Sequence, residues 1–174
     1  MQQSTTPLFF FGSLMDKEVL EIVLGRPMDT DLLKTGTLRG YRCEREAKES
    51  YPILIPCPGG EAKVLLADSL GQEDIQRILF YETGEYDLVP FTITSDSKQV
   101  TALGFATGEN IHTSGETWQL EAWQNKDKQA FRPMASKFME GYGKMSILQA
   151  LEYWDVLAEK FEQSASKEQQ STGT

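Results

Sequence analysis

Residues 7–15 read Pro-Leu-Phe-Phe-Phe-Gly-Ser-Leu-Met, and they form the first strongly apolar run of the chain. The aromatic and aliphatic residues from Leu8 to Phe11 are typical of a buried strand. Gly12 and Ser13 interrupt this run, and a helix-like pattern begins at Asp16. The sequence therefore predicts a buried strand that turns directly into a helix.

The Gly12-Ser13 turn has two interpretations, and the residues alone leave both open. The first N–H groups of a helix lack partners and carry the positive end of its dipole, so the turn can hold a carboxylate or a phosphate. Alternatively, Gly12 forms only a tight turn and Ser13 caps the helix through the spacing Ser13-x-x-Asp16.

The composition excludes several classes of protein. A chain of 174 residues with 40% hydrophobic content suffices for one domain with a core, and is too short for two large ones. A formal charge of −9 argues against a nucleic-acid partner, because such binding relies on clustered Lys and Arg. No apolar segment approaches the length of a membrane span, so we expect no membrane partner and a cytoplasmic location.

Cysteine and histidine are scarce. Cys43 and Cys57 are too few for a disulfide scaffold and lack the C-x-x-C spacing. His112 is the single histidine, which argues against a His-based metal site, and its loop-like surroundings argue against a catalytic role. We expect no metal ion.

Strand patterns dominate the first part of the chain and helical patterns the last, which predicts an α+β fold. Pro58-Gly59-Gly60 is predicted as a turn between two strands, and Pro133 as a break or a kink in a helical segment. The last helix is expected to end at Phe161. The predicted organisation is a single domain over residues 1–161, with a core at 7–107, a helical part at 117–161 and a disordered tail at 162–174.

Glu82 is the main candidate for proton transfer. A glutamate at the end of a helix is most often a solvated surface residue. Between aromatic neighbours such as Tyr81 and Tyr86, however, its carboxylate would lose water, and the resulting rise in pKa would suit a general acid or base. Glu85 is the local competitor for this role.

Four short motifs, in this order, resemble the gamma-glutamylcyclotransferase-like family, also called AIG2-like. They are the opening run through Gly12-Ser13-Leu14, the segment at residues 38–42, the pair Tyr51-Pro52, and Tyr81-Glu82 followed by Tyr86. Residues 64–70 also resemble a strand segment of the family. Three positions depart from the family pattern. Phe11 stands where a tyrosine is usual, Phe80 where an aspartate is usual, and Thr83 where a glycine is usual.

The resemblance implies a fold, a site and a reaction. The fold would be a small mixed β-barrel with flanking helices. Glu82 would be the catalytic acid and base; Gly12, Ser13 and Leu14 would bind the substrate carboxylate through backbone N–H groups; Phe11 and Tyr86 would line the pocket. Tyr41 and Tyr51 are weaker candidates for the lining.

The leading functional hypothesis is a cofactor-free enzyme that releases 5-oxoproline from a gamma-glutamyl amine or peptide. The substrate's own α-amine would attack its γ-carbonyl, and a monomer or weak homodimer is expected. The alternative is a non-catalytic protein of the same fold that binds a small carboxylate-bearing ligand. A third reading is an interaction domain with a vestigial pocket.

Overall fold

The computed structural model describes residues 6–47, 52–82, 88–105 and 112–171, with side chains of the last helix described as far as Lys160. The strands are β1 (Leu8–Phe10), β2 (Leu33–Glu46), β3 (Pro52–Ala67), β4 (Leu88–Ser95), β5 (Lys98–Phe105) and β6 (Thr113–Thr117). The helices are α1 (Lys17–Leu24), α2 (Gln72–Tyr81), α3 (Leu120–Lys126), α4 (Lys128–Met139) and α5 (Ile147–Ser171).

Five strands close into a barrel in the order β3-β1-β5-β4-β2, and the pairing of β2 with β3 completes the circle. The sixth strand, β6, adds to the far half of β2 outside this circle. β1 runs parallel to β5 while the remaining pairs are antiparallel, so the barrel is mixed. This architecture confirms the expected α+β fold with a small mixed barrel.

The side chains of β1 alternate between two apolar clusters, one inside the barrel and one beneath the helices. Phe9 points into the barrel, where it meets apolar side chains from β2, β3, β4 and β5. Leu8 and Phe10 point to the other side and pack with α1 and α2. Successive side chains of a strand face opposite ways, so three consecutive apolar residues indicate a strand buried on both faces.

The helical part of the chain packs on this outer layer. Trp123 of α3, Phe138 of α4 and Leu157 of α5 belong to the same apolar cluster as Leu8 and Phe10. The core therefore joins the barrel and the C-terminal helices. No helix in the described part of the chain is long and apolar enough to cross a membrane.

The expected turn at Pro58-Gly59-Gly60 is wrong, because β3 continues through it. β2 and β3 pair in regular register up to Arg39 opposite Glu61, and pairing resumes with Tyr41 opposite Pro56. The residues between Pro56 and Glu61 thus bulge out opposite Gly40. Gly40 and Gly59 both adopt positive φ angles, 86° and 80°, which glycine tolerates without steric cost.

Of the break or kink expected at Pro133, the break is wrong, because α4 runs through this residue. The kink stays a prediction. A proline inside a helix removes one N–H donor and crowds the carbonyl four residues earlier. Here Pro133 and Gln129 both lie on the exposed face of α4, so water can satisfy the carbonyl that loses its partner.

The expected boundary of the tail needs correction as well. Helix α5 continues to Ser171, beyond the predicted end at Phe161, so residues 162–171 are helical rather than disordered. The segment has no proline or glycine, and seven of its ten residues are Glu, Gln, Lys or Ala, which have good helix propensity. Low hydrophobicity predicted disorder, but it does not prevent the extension of an existing helix.

The barrel interior predicts a severe effect of Gly104→Ala. A Cβ at position 104 would collide with the ring of Phe9, which is fully buried and cannot move aside. We expect a loss of about 1–3 kcal/mol in the free energy of unfolding, measured by urea denaturation. Phe9→Leu in the same chain supplies the control: the double variant should lose less than the sum of the single losses. Additive losses would contradict the collision.

Candidate active site at the barrel rim

One rim of the barrel lies beside those predicted site residues that the structure describes. Leu8 pairs in parallel with Leu103, and Leu88 pairs with Phe105, so the ends of β1 and β5 and the start of β4 lie at the same rim. The turn that follows β1 leaves from this rim. We call this end of the barrel, with the turn at residues 12–15 and the end of α2, the site rim.

The turn after β1 is a single turn of 3-10 helix, Ser13–Met15. The N–H of Met15 donates to the carbonyl of Gly12 at 2.9 Å, and the N–H of Asp16 donates to that of Ser13 at 3.0 Å. The Leu14 side chain is buried in the core, so only its backbone is available to a ligand. A turn of this kind leaves its first N–H groups without partners inside the helix.

Asp16, rather than Ser13, caps helix α1. Its carboxylate accepts a hydrogen bond from the N–H of Val19 at 3.2 Å, and its backbone is extended as in other N-caps. The interpretation of Ser13-x-x-Asp16 as a cap provided by Ser13 is therefore wrong. The Ser13 hydroxyl has a different partner.

That partner is Tyr81, in the last turn of α2. The two hydroxyl oxygens lie 2.6 Å apart, although the residues are separated by 68 positions in the sequence. Burial and the nearby carboxylate of Glu82 raise the pKa of the Tyr81 phenol, so the phenol stays protonated. This hydrogen bond ties the end of α2 to the turn after β1.

Glu82 immediately follows and is the C-cap of α2. Its N–H donates to the carbonyl of Ile78 at 2.9 Å, which fixes the backbone at the helix end. The side chain is partly buried, and desolvation raises the pKa of its carboxyl group to about 7. The partial burial agrees with the loss of water expected around Glu82, and the role of Glu82 in chemistry stays a prediction.

Aromatic side chains occupy the rim end of the barrel interior. Phe11 and Tyr41 are partly buried against the inner apolar cluster, as is Phe91 of β4. The Phe91 ring packs edge-on against Tyr41, with centroids 5.6 Å apart, and edge-on against Phe9 at 5.3 Å. These rings fill the interior below the rim, so a ligand of this site would sit at the rim.

The Phe11 segment is held by two neighbours. A Cβ on Gly12 would come within 2.8 Å of the Pro52 ring, so only glycine fits here without a shift. The Cys43 thiol donates to the Phe11 carbonyl at 3.4 Å. Burial raises the pKa of Cys43 to about 12, which keeps the thiol protonated as a donor.

Phe80 lies away from the site rim. Its ring stacks on Phe138 with centroids 4.8 Å apart and meets Tyr142 edge-on at 5.7 Å. The departure from aspartate at this position therefore serves the packing of the C-terminal helices. Tyr51, Glu85 and Tyr86 lie outside the described residues, so their predicted roles stay untested.

Asp16 fastens the turn to the C-terminal helices. Its carboxylate accepts from the Gln124 side chain and from Lys128, each at 2.8 Å. Burial by itself would raise the pKa of Asp16, but the hydrogen bonds from Lys128, Gln124 and Val19 outweigh it and hold the pKa below its ordinary value. These contacts could not be predicted from local sequence patterns, because they join residues more than a hundred positions apart.

Two clefts lie elsewhere on the surface. The first, of about 370 Å³, lies between α1 and α4 and is lined by Glu18, Glu21, Ile22, Arg26, Pro27 and Arg132. The second, of about 180 Å³, lies at the opposite end of the barrel, near Lys34 and Lys98. Among the described residues, no group of three His, Cys, Asp or Glu side chains is arranged to hold a metal ion.

Comparison with known proteins assigns the family. Residues 8–125 match the family model described as gamma-glutamyl cyclotransferase, AIG2-like, which is more than half of the chain. The chain belongs to this family. The resemblance inferred from the four motifs is thus confirmed, and membership supports a gamma-glutamyl cyclotransferase-like function in general terms.

Plant members of the family are similar to this chain. AIG2-like protein C of Arabidopsis thaliana is 28% identical over 137 residues, which cover 76% of this chain and 77% of the plant protein. Two solution structures of Arabidopsis thaliana proteins each superpose with a TM-score of 0.55 over 83% of this chain. They cover 89% and 97% of the plant chains at 17% and 21% identity, and they support the fold alone.

The fastening of the turn predicts that Asp16→Asn destabilises the protein. The variant removes a buried charge that accepts from Lys128 and Gln124, and we expect a loss of about 2 kcal/mol in the free energy of unfolding at pH 7. Glu18→Gln is the matched control, because Glu18 pairs with the same lysine but is 51% exposed. It should cost less than about 1 kcal/mol.

The pH dependence of this difference has a definite sign. The folded pKa of Asp16 is lowered, so the ionised carboxylate stabilises the fold above the unfolded pKa, and this stabilisation is lost as the pH falls through the folded value. The gap between wild type and Asp16→Asn, measured by chemical denaturation, should therefore shrink below about pH 4. An equal gap at pH 3 and pH 7 would contradict this account.

Proposed function

We propose that the protein is a cofactor-free gamma-glutamyl cyclotransferase that releases 5-oxoproline from a gamma-glutamyl amine or peptide, with Glu82 as the general acid and base. One observation carries the proposal. The site rim holds a carboxyl group with a pKa near 7 at the end of α2, and the residue before it is hydrogen-bonded to the turn after β1.

The reaction needs a group that takes up and returns one proton. The α-nitrogen of the glutamyl unit bonds to its own γ-carbonyl carbon, and the bond from that carbon to the leaving amine breaks. Glu82 accepts the proton that the attacking ammonium loses and delivers a proton to the leaving amine. Water is not consumed, so the products are 5-oxoproline and the free amine.

The pKa of Glu82 suits this task. A general acid and base works best with a pKa near the working pH, because both protonation states are then populated. Desolvation brings the pKa of Glu82 to this range. A carboxylate that only neutralised a ligand's charge would be expected to keep a low pKa, so the raised value favours catalysis over passive binding.

The turn at residues 12–14 is proposed to orient the substrate. Its first N–H groups and the Ser13 hydroxyl are hydrogen-bond donors, so they are expected to bind an anion more tightly than a neutral group. Binding the α-carboxylate there would hold the α-amine close to the γ-carbonyl, which favours ring closure. Phe11 would contribute apolar surface beside the turn, and Tyr86 stays a proposed part of the lining.

The decisive variant is Glu82→Gln. Glutamine keeps the size of the side chain but cannot carry the proton, so we expect kcat for 5-oxoproline release from a panel of gamma-glutamyl amides to fall by about 10²–10⁴-fold. Glu121→Gln, on the exposed face of α3, is the matched control and should retain full activity. Glu85→Gln tests the competitor for the role. Activity that survives in Glu82→Gln and is lost in Glu85→Gln would reassign the base.

The same panel tests the alternative function. If no amide is turned over but L-glutamate raises the melting temperature, the protein binds its ligand without catalysis.

The pH profile gives an independent test. Glu82 must be ionised in the free enzyme to accept the proton, so kcat/KM should rise about tenfold per pH unit below pH 7 and level off above it. Initial rates at low substrate concentration between pH 5 and pH 9 measure this. A value of kcat/KM that stays constant down to pH 5 would mean that the acting carboxylate is not desolvated.

A further inference from the structure

We propose that Tyr81 is a positioning residue that fixes the Ser13 hydroxyl, so that the two hydroxyls together present one hydrogen-bond donor to the carboxylate of the ligand. The inference deepens the function proposed above and rests on it. It starts from the 2.6 Å contact between the two oxygens. This distance is typical of a strong O–H···O hydrogen bond.

Counting hydrogens leads to a single donor. Two hydroxyls carry two hydrogens, and the bond between them uses one. If Tyr81 donates, the Ser13 hydrogen remains available; if Ser13 donates, the Tyr81 hydrogen remains. Neither hydroxyl forms another hydrogen bond with residues in the described parts of the chain. In both arrangements one O–H is left for an acceptor at the site rim.

The ring of Tyr81 packs against helix α5. Trp154 of α5 packs edge-on against the Tyr81 ring, with centroids 6.2 Å apart and planes at 85°. Trp154 in turn packs against Phe131 and Phe138 of α4. This packing limits the rotation of the Tyr81 side chain, so its hydroxyl stays directed at Ser13.

An anion is the ligand that this arrangement fits. A phenol held in its protonated form can donate but not carry a negative charge, and the serine hydroxyl is likewise able to donate. The remaining O–H favours an acceptor, and a charged carboxylate accepts a stronger hydrogen bond than a neutral group does. The α-carboxylate of a glutamyl group meets this requirement.

Four variants test the inference. Tyr81→Phe removes the hydroxyl and keeps the ring, Ser13→Ala removes the other hydroxyl, and the double variant removes both. Tyr153→Phe is the matched control, because the Tyr153 hydroxyl makes an exposed bond to the Lys137 carbonyl on the neighbouring helix. For each, calorimetry gives the Kd for L-glutamate and 5-oxoproline, and steady-state kinetics on a gamma-glutamyl amide give KM and kcat.

The expected result is a loss of binding without a matching loss of chemistry. Tyr81→Phe and Ser13→Ala should each raise Kd and KM by about tenfold or more and change kcat by less than about threefold, because a hydrogen bond to a charged group is removed. The double variant should be little worse than either single variant, since the two hydroxyls act as one donor. Tyr153→Phe should match the wild type.

Other outcomes overturn the inference. It fails if Tyr81→Phe leaves Kd and KM unchanged, if the two losses are additive, or if kcat alone falls. Should Tyr81→Phe fail to fold, an unchanged Kd in Ser13→Ala would still refute it. A wild type that binds neither probe also refutes it. A wild type that binds L-glutamate without turnover, and whose Kd rises in Tyr81→Phe, would support the inference and refute the cyclotransferase function.

Discussion

The ring of Phe9 is the contact on which the barrel depends. It fills the interior at the level where Gly104 of β5 leaves room, and no larger residue at position 104 would allow β1 and β5 to lie side by side. Because Phe9 points into the barrel, Leu8 and Phe10 must point outward, where the helices pack against them. The inward orientation of Phe9 thus determines which side chains of β1 fill the barrel and which contact the helical layer.

The C-terminal helices take part in the site although none of their side chains was expected there. Asp16 joins the turn after β1 to α3 and α4 through Gln124 and Lys128. Trp154 of α5 supports the tyrosine that contacts the same turn. The barrel forms the rim, and the C-terminal helices contact both the turn after β1 and Tyr81 at the end of α2. Substitutions in these helices are therefore expected to alter the position of the turn or of Tyr81.

Local patterns predicted much of this architecture, and long-range contacts account for what they missed. The apolar run of β1 and the stop at Gly25 could each be read from neighbouring residues. The bond between Ser13 and Tyr81 could not, since nothing in a single sequence links positions 68 residues apart. The break at Pro133 was wrongly predicted for a related reason. The energetic cost of a proline inside a helix depends on whether water reaches the carbonyl that loses its partner, and this exposure is a property of the folded chain.

The desolvated carboxyl of Glu82 also affects the stability of the empty protein. Its folded pKa lies above the ordinary value of 4.5, so folding favours the protonated form. The fold bears no penalty from this group in acid, an increasing one as the pH rises through that interval, and the full one above about pH 7. At neutral pH, a cation that enters beside Glu82 would relieve this penalty. The residue that we propose as the general acid and base therefore lowers the stability of the ligand-free protein at neutral pH.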